Sequence, residues 1–444
     1  MQLLPTRRLA LVAVIVAAGM LAYPGGPVDV WIAAALVTVL LGLVALLDAA
    51  IGTSPKVLLL RREHPPVVVA GREATVTWEV RSESSRSLRV GVADDLAPSL
   101  RARVRRFSVR IPARGTATVS TTLRPLRRGH FPLDHLTVRI DGRLGLGSRQ
   151  RRVPISTTLR VHPPFRSKED AELKIRRARI LEVGMRSARG LGGGTEFEQL
   201  REYGPDDEFR RIDWTATARS GRTIVRTYRA EQNQSVLVLL DNGRTMAGRV
   251  AGVPRVEHSM DAAMMLTTVA TRLGDRCGLV AFDRIVREVV PPARRTDQVS
   301  RVTEAMYALE PELAESDYSA AFAQVVARFR RRSMLVLLTD LVDHAIEESL
   351  LPALPLITRT HLVILGGVRD PQVEAWASGV EQDDGLDAEA AAYRQAAAVQ
   401  ALADRRRTVA RLRGMGVTVV DAAPARFATE LADAYLYAKS RGRL

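Results

Sequence analysis

Two long apolar runs near the N-terminus constrain this chain more than any other feature. Leu9 to Val28 is an uncharged run of 20 residues that includes the turn sequence PGGP, and Val30 to Leu47 is a second run of 18. Each approaches the roughly 20 residues that a helix needs to cross the hydrocarbon core of a bilayer. So short a connection predicts a two-helix transmembrane hairpin over residues 1–55, with both ends on one side. Arg7 and Arg8 precede it, and Lys56, Arg61 and Arg62 follow it. Basic flanks of this kind place that side in the cytoplasm. The expected location is the inner (cytoplasmic) membrane, multi-pass, with the main body cytoplasmic. A cleaved signal peptide beginning at Arg7/Arg8 is the competing reading. Tyr23-Pro24 lacks the small residues that cleavage wants, and the second apolar run would remain after it.

The formal charge is +16, from 65 basic and 49 acidic side chains. Such an excess attracts either nucleic acid or an anionic membrane surface. The arginines are dispersed, aromatic residues make up 5% of the chain, and no nucleic-acid-binding motif occurs. We therefore expect no nucleic acid and assign the charge to the lipid membrane. Cys277 is the one cysteine, which excludes an intrachain disulfide and any Cys-based zinc site.

Residues 56–165 read as a β-sandwich-like domain. Short runs such as VLLLRR, PVVVA, ATVTWEV, LRVGV, TATVSTTL, HLTVRI and LRVHP recur between Gly, Pro, Ser and Asp. This pattern predicts about seven strands. Arg101, Arg103 and Arg105 alternate, so a strand there would present all three on one face. That face would be either solvated or docked on anionic headgroups. Residues 166–234 form a linker and signature segment, with a basic helix expected from Lys168 to Ala188. The glycines of Gly190–Gly194 lack the Lys-Ser/Thr ending of a phosphate-binding loop.

Residues 235–444 alternate buried-strand runs (SVLVLL, CGLVAF, MLVLLTD, HLVILGG, GVTVVD) with helical stretches. This predicts a doubly wound α/β domain with a parallel sheet and helices on both faces. Ligands of such sheets sit beyond the carboxyl ends of the strands. Asp241 follows SVLVLL, Asp340 follows MLVLLT, and Thr245 and Ser316 carry hydroxyls nearby in the pattern. Carboxylate and hydroxyl oxygens are the hard ligands Mg²⁺ takes. The alternative is that Asp241 and Thr245 cap the following helix.

Asp241-Asn242-Gly243-Arg244-Thr245 resembles the metal-ion-dependent adhesion site of von Willebrand factor A domains, Asp-x-Ser-x-Ser followed later by Thr and Asp. The resemblance implies a von Willebrand factor A-like (Rossmann-like) fold. Its metal ligands would be Asp241, Thr245, Ser316 and Asp340, with Gly243 in place of one serine. The site is thus a degenerate one, with Mg²⁺ as its candidate ion.

The stretch GGGTEFEQLREYGPDDEFRRIDWTATARSGRTIVRTYRAE resembles the signature of the domain of unknown function 58 family. Its pattern falls on Glu196, Phe197, Leu200, Arg201, Tyr203, Pro205, Asp207, Arg210, Ile212, Asp213, Trp214, Ala218 and Arg219, with Asp206 in place of the usual glycine. Mixed charges around Trp214 suit either internal packing, with Trp214 as a buried anchor, or a partner surface. The family resembles partners of MoxR-type AAA+ ATPases. That resemblance implies a membrane-tethered, non-enzymatic adaptor acting with such an ATPase and a client protein. The alternatives are a metal-dependent hydrolase using Asp241 and Asp340, or a basic nucleic-acid-binding membrane protein. No nucleophile–base motif supports the hydrolase.

Overall fold

The computed structural model describes residues 2–21, 30–188, 196–205, 207–229, 234–341, 346–379 and 388–441. The chain divides into two compact units, Met1–His162 and Pro163–Leu444.

In the first unit, strand β1 (Gln2–Pro5) leads into helix α1 (Arg7–Leu21), and α2 (Val30–Ile51) follows. The predicted PGGP turn, Pro24–Pro27, lies outside the described residues. Among the described residues one helix is long and apolar enough to cross a membrane: α2 with its short extension, Trp31–Val57, at a mean hydropathy of 2.5. Leu11, Val14, Trp31, Leu36 and Val39 are all more than half exposed.

The strands after α2 are β2 (Leu58–Glu63), β3 (Val67–Val69), β4 (Ala74–Ser82), β5 (Leu88–Asp94), β6 (Arg106–Ile111), β7 (Thr116–Leu123), β8 (Gly129–Asp141) and β9 (Gly147–His162). One sheet runs β1-β9-β8-β5-β6, with β3 also on β9, and the other runs β2-β4-β7. Alternating residues such as Val76, Trp78 and Val80 on β4 and Val90 and Val92 on β5 are buried in one core, as period-2 patterning requires.

Two expectations need correction here. Arg101, Arg103 and Arg105 precede β6 in irregular chain, and Arg101 has a left-handed backbone (φ 46°). They present no common strand face, because Leu100 is buried and the chain turns around it. Arg62, counted among the basic flanks of the hairpin, is buried inside the sandwich and presents no charge to a membrane surface. Its guanidinium forks onto Asp94 at 3.0 and 2.9 Å, and Trp78 Nε1 donates to the same carboxylate at 2.7 Å.

The second unit opens with α3 (Lys168–Ala188) and a small antiparallel ribbon of β10 (Glu196–Glu202) and β11 (Ile224–Arg229), with α4 (Trp214–Ser220) between its strands. Then come β12 (Ser235–Asp241), α5 (Arg244–Ala247), β13 (Arg249–Val250), β14 (Val253–Pro254), α6 (Arg255–Arg272), β15 (Arg276–Phe282), β16 (Val286–Ala293), α7 (Gln298–Tyr307), α8 (Tyr318–Arg328), β17 (Met334–Leu338), β18 (Leu362–Val368), α9 (Pro371–Ser378), α10 (Ala388–Gly414), β19 (Thr418–Ala422) and α11 (Pro424–Ser440). The sheet order is β16-β15-β12-β17-β18-β19, parallel except for β16.

The central strands read as unbroken apolar runs because both faces are covered. Val236, Val238 and Leu240 join the core beneath α6 and α11, while Leu237 and Leu239 join the core beneath α8. The antiparallel β16 departs from the all-parallel expectation. Pro291 and Pro292 have no N–H to give, and a sheet tolerates such residues at its edge.

Candidate functional site

The carboxyl ends of the parallel strands carry Asp241, Asp340 and Asp283, and each faces partners from within the chain. Asp241 ends β12 with no solvent exposure. Its Oδ1 accepts from Gly243 N at 2.9 Å and Ser316 Oγ at 2.5 Å. Its Oδ2 accepts from Tyr318 OH at 2.8 Å and Thr339 Oγ1 at 2.5 Å. Four donors fill the roughly four lone-pair sites of a carboxylate. Burial, and after it the charge of Asp241, pushes the Tyr318 hydroxyl well above its ordinary value, so it stays protonated and donating. Gly243 is required by this arrangement, since a Cβ there would overlap Ser316 Oγ.

Asp340 follows β17 and is paired with arginine. Arg405 of α10 donates to Oδ1 at 3.2 Å, and Leu341 N donates to the same oxygen at 2.9 Å. Arg255, at the start of α6, places Nε 3.2 Å from Oδ2, a charge contact without an aligned hydrogen bond. Arg405 also grips Asp421 of β19 at 2.9 Å and the Val368 carbonyl at 3.2 Å. A Cβ on Gly248 would overlap the Arg255 guanidinium, so that glycine makes room for it. At the neighbouring strand end, Asp283 after β15 is buried and takes Arg287 Nε at 2.6 Å.

The predicted set is therefore only partly assembled. Ser316, expected as a metal ligand, instead donates to Asp241. Thr245 sits half-buried in α5 and is not among the donors to Asp241. Asp340 faces guanidinium groups where the metal reading required an open oxygen. These residues do not fit a divalent ion: Asp241 has no lone pair to spare, Gly243 offers none, and Asp340 is already neutralised. Among the described residues no group of three or more His, Cys, Asp or Glu side chains is placed to hold a metal.

Sequence reasoning missed Tyr318, Thr339, Arg255, Arg405, Asp421 and Asp283. Two signals were available. Asp283 and Asp421 each follow an apolar strand run, as Asp241 does, and Thr339 directly precedes Asp340. Nothing in the spacing pointed to Arg255 or Arg405, which come from distant helices.

The signature residues form a separate, self-contained cluster. Arg201 on β10 forks onto Asp207 at 2.7 and 2.5 Å, and Gly204 N donates to the same carboxylate at 2.7 Å. Tyr203 OH donates to the Asp207 carbonyl at 3.2 Å. Asp213 caps α4, accepting from Thr215 N and Ala216 N at 3.0 Å each. Arg226 donates to it at 2.7 Å, and that bond, ahead of the cap, holds its carboxyl below the usual range. Glu196 lies opposite Arg229 in the backbone register of the ribbon. Arg210 and Arg219 are exposed, and Asp206 lies outside the described residues. Trp214, expected as a buried anchor, is 61% exposed and meets the 69% exposed Phe209 edge-on at 5.7 Å. Trp214 is the first residue of α4, directly after its N-cap Asp213.

The family model described as "Protein of unknown function DUF58" matches residues 199–381. Uncharacterized proteins of Mycobacterium bovis and Mycobacterium tuberculosis are each 26% identical to the chain over 151 residues, covering 34% of it and 48% of themselves. The chain thus spans about half the length of the curated relatives it matches. Among solved structures, a CARDB domain from Pyrococcus furiosus covers 24% of the chain and 94% of itself at 10% identity, with a TM-score of 0.17. A Caenorhabditis elegans MSP family member covers 24% of the chain and 97% of itself at 15% identity, with the same TM-score. Likeness at that score carries no argument.

Proposed function

We propose that the chain is a membrane-tethered, non-enzymatic adaptor that binds partner proteins. The observation that carries this reading is the exposed Phe209–Trp214 pair, mounted on a ribbon made rigid by the Arg201–Asp207 and Asp213–Arg226 pairs. Two adjoining aromatic rings held outward are the kind of surface that a partner buries as a hot spot. Arg210 and Arg219 beside them in sequence favour an acidic partner face. The resemblance to the domain of unknown function 58 family supplies the kind of partner, a MoxR-type AAA+ ATPase working on a client protein.

The strand order supports reading the second unit as von Willebrand factor A-like. Numbered along the chain, its six strands lie 3-2-1-4-5-6, with an antiparallel edge. The strand-end acids are taken up in internal bonds, which favours a scaffold over a hydrolase, and Mg²⁺ has no part in the proposal.

The tether is read as a helical hairpin in the inner membrane, with the body cytoplasmic. β1 precedes α1 yet pairs with β9 of the sandwich, Gln2 opposite Gln150 and Pro5 opposite Gly147. A chain that leaves this unit through α1 and re-enters it after α2 must cross the bilayer an even number of times. If α2 spans, α1 spans with it.

Tagged full-length protein should capture the MoxR-type ATPase from solubilised membranes of its host. The double variant Phe209→Ala/Trp214→Ala should reduce recovery at least about tenfold, as loss of a hot spot of roughly 1.4 kcal/mol or more requires. Absence of the ATPase from the wild-type capture, or full recovery by the variant, would sink the proposal.

A further inference from the structure

The chain that reverses between β8 and β9, residues 142–146, is built into the ends of both N-terminal helices. Asp48, one turn from the end of α2, accepts backbone N–H groups from Leu144 at 2.8 Å, Leu146 at 2.9 Å and Gly147 at 3.1 Å. A Cβ on Gly147 would overlap the Ala45 carbonyl, and one on Gly142 would overlap the Asp48 carboxylate. The reversal therefore lies directly on α2, burying Ala45, Asp48 and Ala49. On its other side, Thr6 Oγ1 donates to the Gly145 carbonyl at 2.5 Å, and Thr6 N donates to that of Leu146 at 3.1 Å. Only Arg143 and Leu144 of this tip face outward, Leu144 with 61% of its surface exposed. Arg7 and Arg8, at the start of α1, are exposed as well.

Depth follows from helix geometry. At 1.5 Å per residue, the apolar run Val30–Leu47 measures about 27 Å, close to the roughly 30 Å of a hydrocarbon core. One edge of that core then falls near Leu47. A tip packed alongside Ala45 and Asp48 stands at the same level, among the lipid headgroups. Its outward residues are one apolar and one cationic side chain, with two more arginines at the neighbouring helix start.

We propose that the β8–β9 tip is a lipid-contacting wedge, Leu144 entering the interface and Arg143, Arg7 and Arg8 holding anionic phospholipid headgroups. This rests on the reading of α2 as a spanning helix. It moves the lipid-binding role from Arg101, Arg103 and Arg105, which share no face, to the arginines that the fold places at the base of the helices.

The full chain in vesicles of phosphatidylglycerol and phosphatidylcholine provides the test. The natural Cys277 is buried, and burial pushes its thiol up to about 12, so a fluorophore goes to an introduced cysteine. Leu144→Cys is compared with Leu43→Cys on α2 and with Leu126→Cys, which precedes β8. Leu126 is roughly 40 Å from the tip along the strand at about 3.3 Å per residue. Leu43 should be quenched by a nitroxide at mid-acyl depth, Leu144 by a nitroxide on the headgroup, and Leu126 by neither.

Headgroup-labelled phosphatidylglycerol should quench at Leu144 more strongly than labelled phosphatidylcholine. Enrichment of about fivefold per arginine sets the upper scale, and Arg143→Glu with Arg8→Glu should abolish the preference. If Leu43 is quenched and Leu144 behaves like Leu126, the wedge is refuted while the anchor stands. If Leu144 is quenched without preference for phosphatidylglycerol, the anionic-headgroup assignment is refuted. If Leu43 is not quenched at mid-acyl depth, the anchor reading and the wedge fail together.

Discussion

Arg405→Met tests whether arginine has taken over the charge that a metal would carry. In the native protein Arg405 bridges Asp340 and Asp421, with its own side chain 14% exposed and those of its partners 1% and 16% exposed. Removing one member of a buried ion pair typically costs 3–5 kcal/mol, because the remaining charge stays uncompensated. Asp421 lies nearer the surface, and Asp340 keeps Arg255 in charge contact, so the lower end, about 3 kcal/mol, is the expected loss. For a unit of this size, roughly 2–4 °C accompanies each kcal/mol, giving a fall in Tm of about 6–12 °C.

The assay is thermal unfolding of the detergent-solubilised chain, followed by near-ultraviolet circular dichroism. Asp340→Asn in the Arg405→Met background should recover part of the loss, since it removes the orphaned charge, and the two changes should be strongly non-additive. Mg²⁺ supplies the counter-test. An ion at a hundredfold excess over its Kd would stabilise the wild type by about 2.7 kcal/mol. A Mg²⁺-dependent rise of that size, or an Arg405→Met loss below about 1 kcal/mol, would refute the assignment.

Three further outcomes follow from the same structure. Tyr318→Phe deprives the buried Asp241 of one of four donors and should cost about 2 kcal/mol, within the range for hydrogen bonds to charged groups, measured by urea unfolding. Cys277 should resist a thiol reagent in the folded state and react fully in denaturant, because burial raises its thiol to about 12; rapid native labelling would contradict the core packing. His258 is depressed mainly by burial, with Arg166 adding repulsion, while its bond to the Val250 carbonyl and the carboxylates of Glu257 and Asp261 oppose the shift. The unfolded chain then takes up the proton first as pH falls through about 6.5, so stability should decline below that pH. His258→Gln should flatten the decline, and an unchanged slope would remove His258 as its source.

The sequence was most legible where periodicity reports burial. Lys168–Ala188 is helical over its expected span, and the apolar runs around Val238, Leu279, Val336 and Leu365 became the central strands because each is covered on both faces. β16 was harder to see: its buried content is low, and its prolines mark an edge only once the sheet order is known. β1 was invisible because QLLP is too short to carry a period and becomes a strand only against β9. At the site, Asp241 and Asp340 were readable as strand-end acids, and Ser316 as a hydroxyl near them. Their partners were not, since Arg255 and Arg405 reach Asp340 across 85 and 65 positions of sequence, and pairing over such distances leaves no local spacing. Trp214 failed as a buried anchor. Its size argued for burial, yet it stands exposed against Phe209.

The strand ends and the ribbon of the second unit use closed polar networks differently. At the strand ends, hydroxyls bond Asp241 and arginines lie against Asp340, Asp421 and Asp283, so the acids there are held by partners from within the chain. At the ribbon, ion pairs again close on themselves, but here they hold two aromatic rings out in the solvent. Closed polar networks rigidify a surface without consuming it. Phe209 and Trp214, both exposed, are the apolar contact on which the proposed adaptor reading rests. The two sites should therefore separate experimentally: Arg405→Met should lower stability and leave partner capture intact below the new Tm, while Phe209→Ala/Trp214→Ala should do the reverse. Loss of capture by both variants at equal folded fraction would show that recognition runs through the strand ends after all.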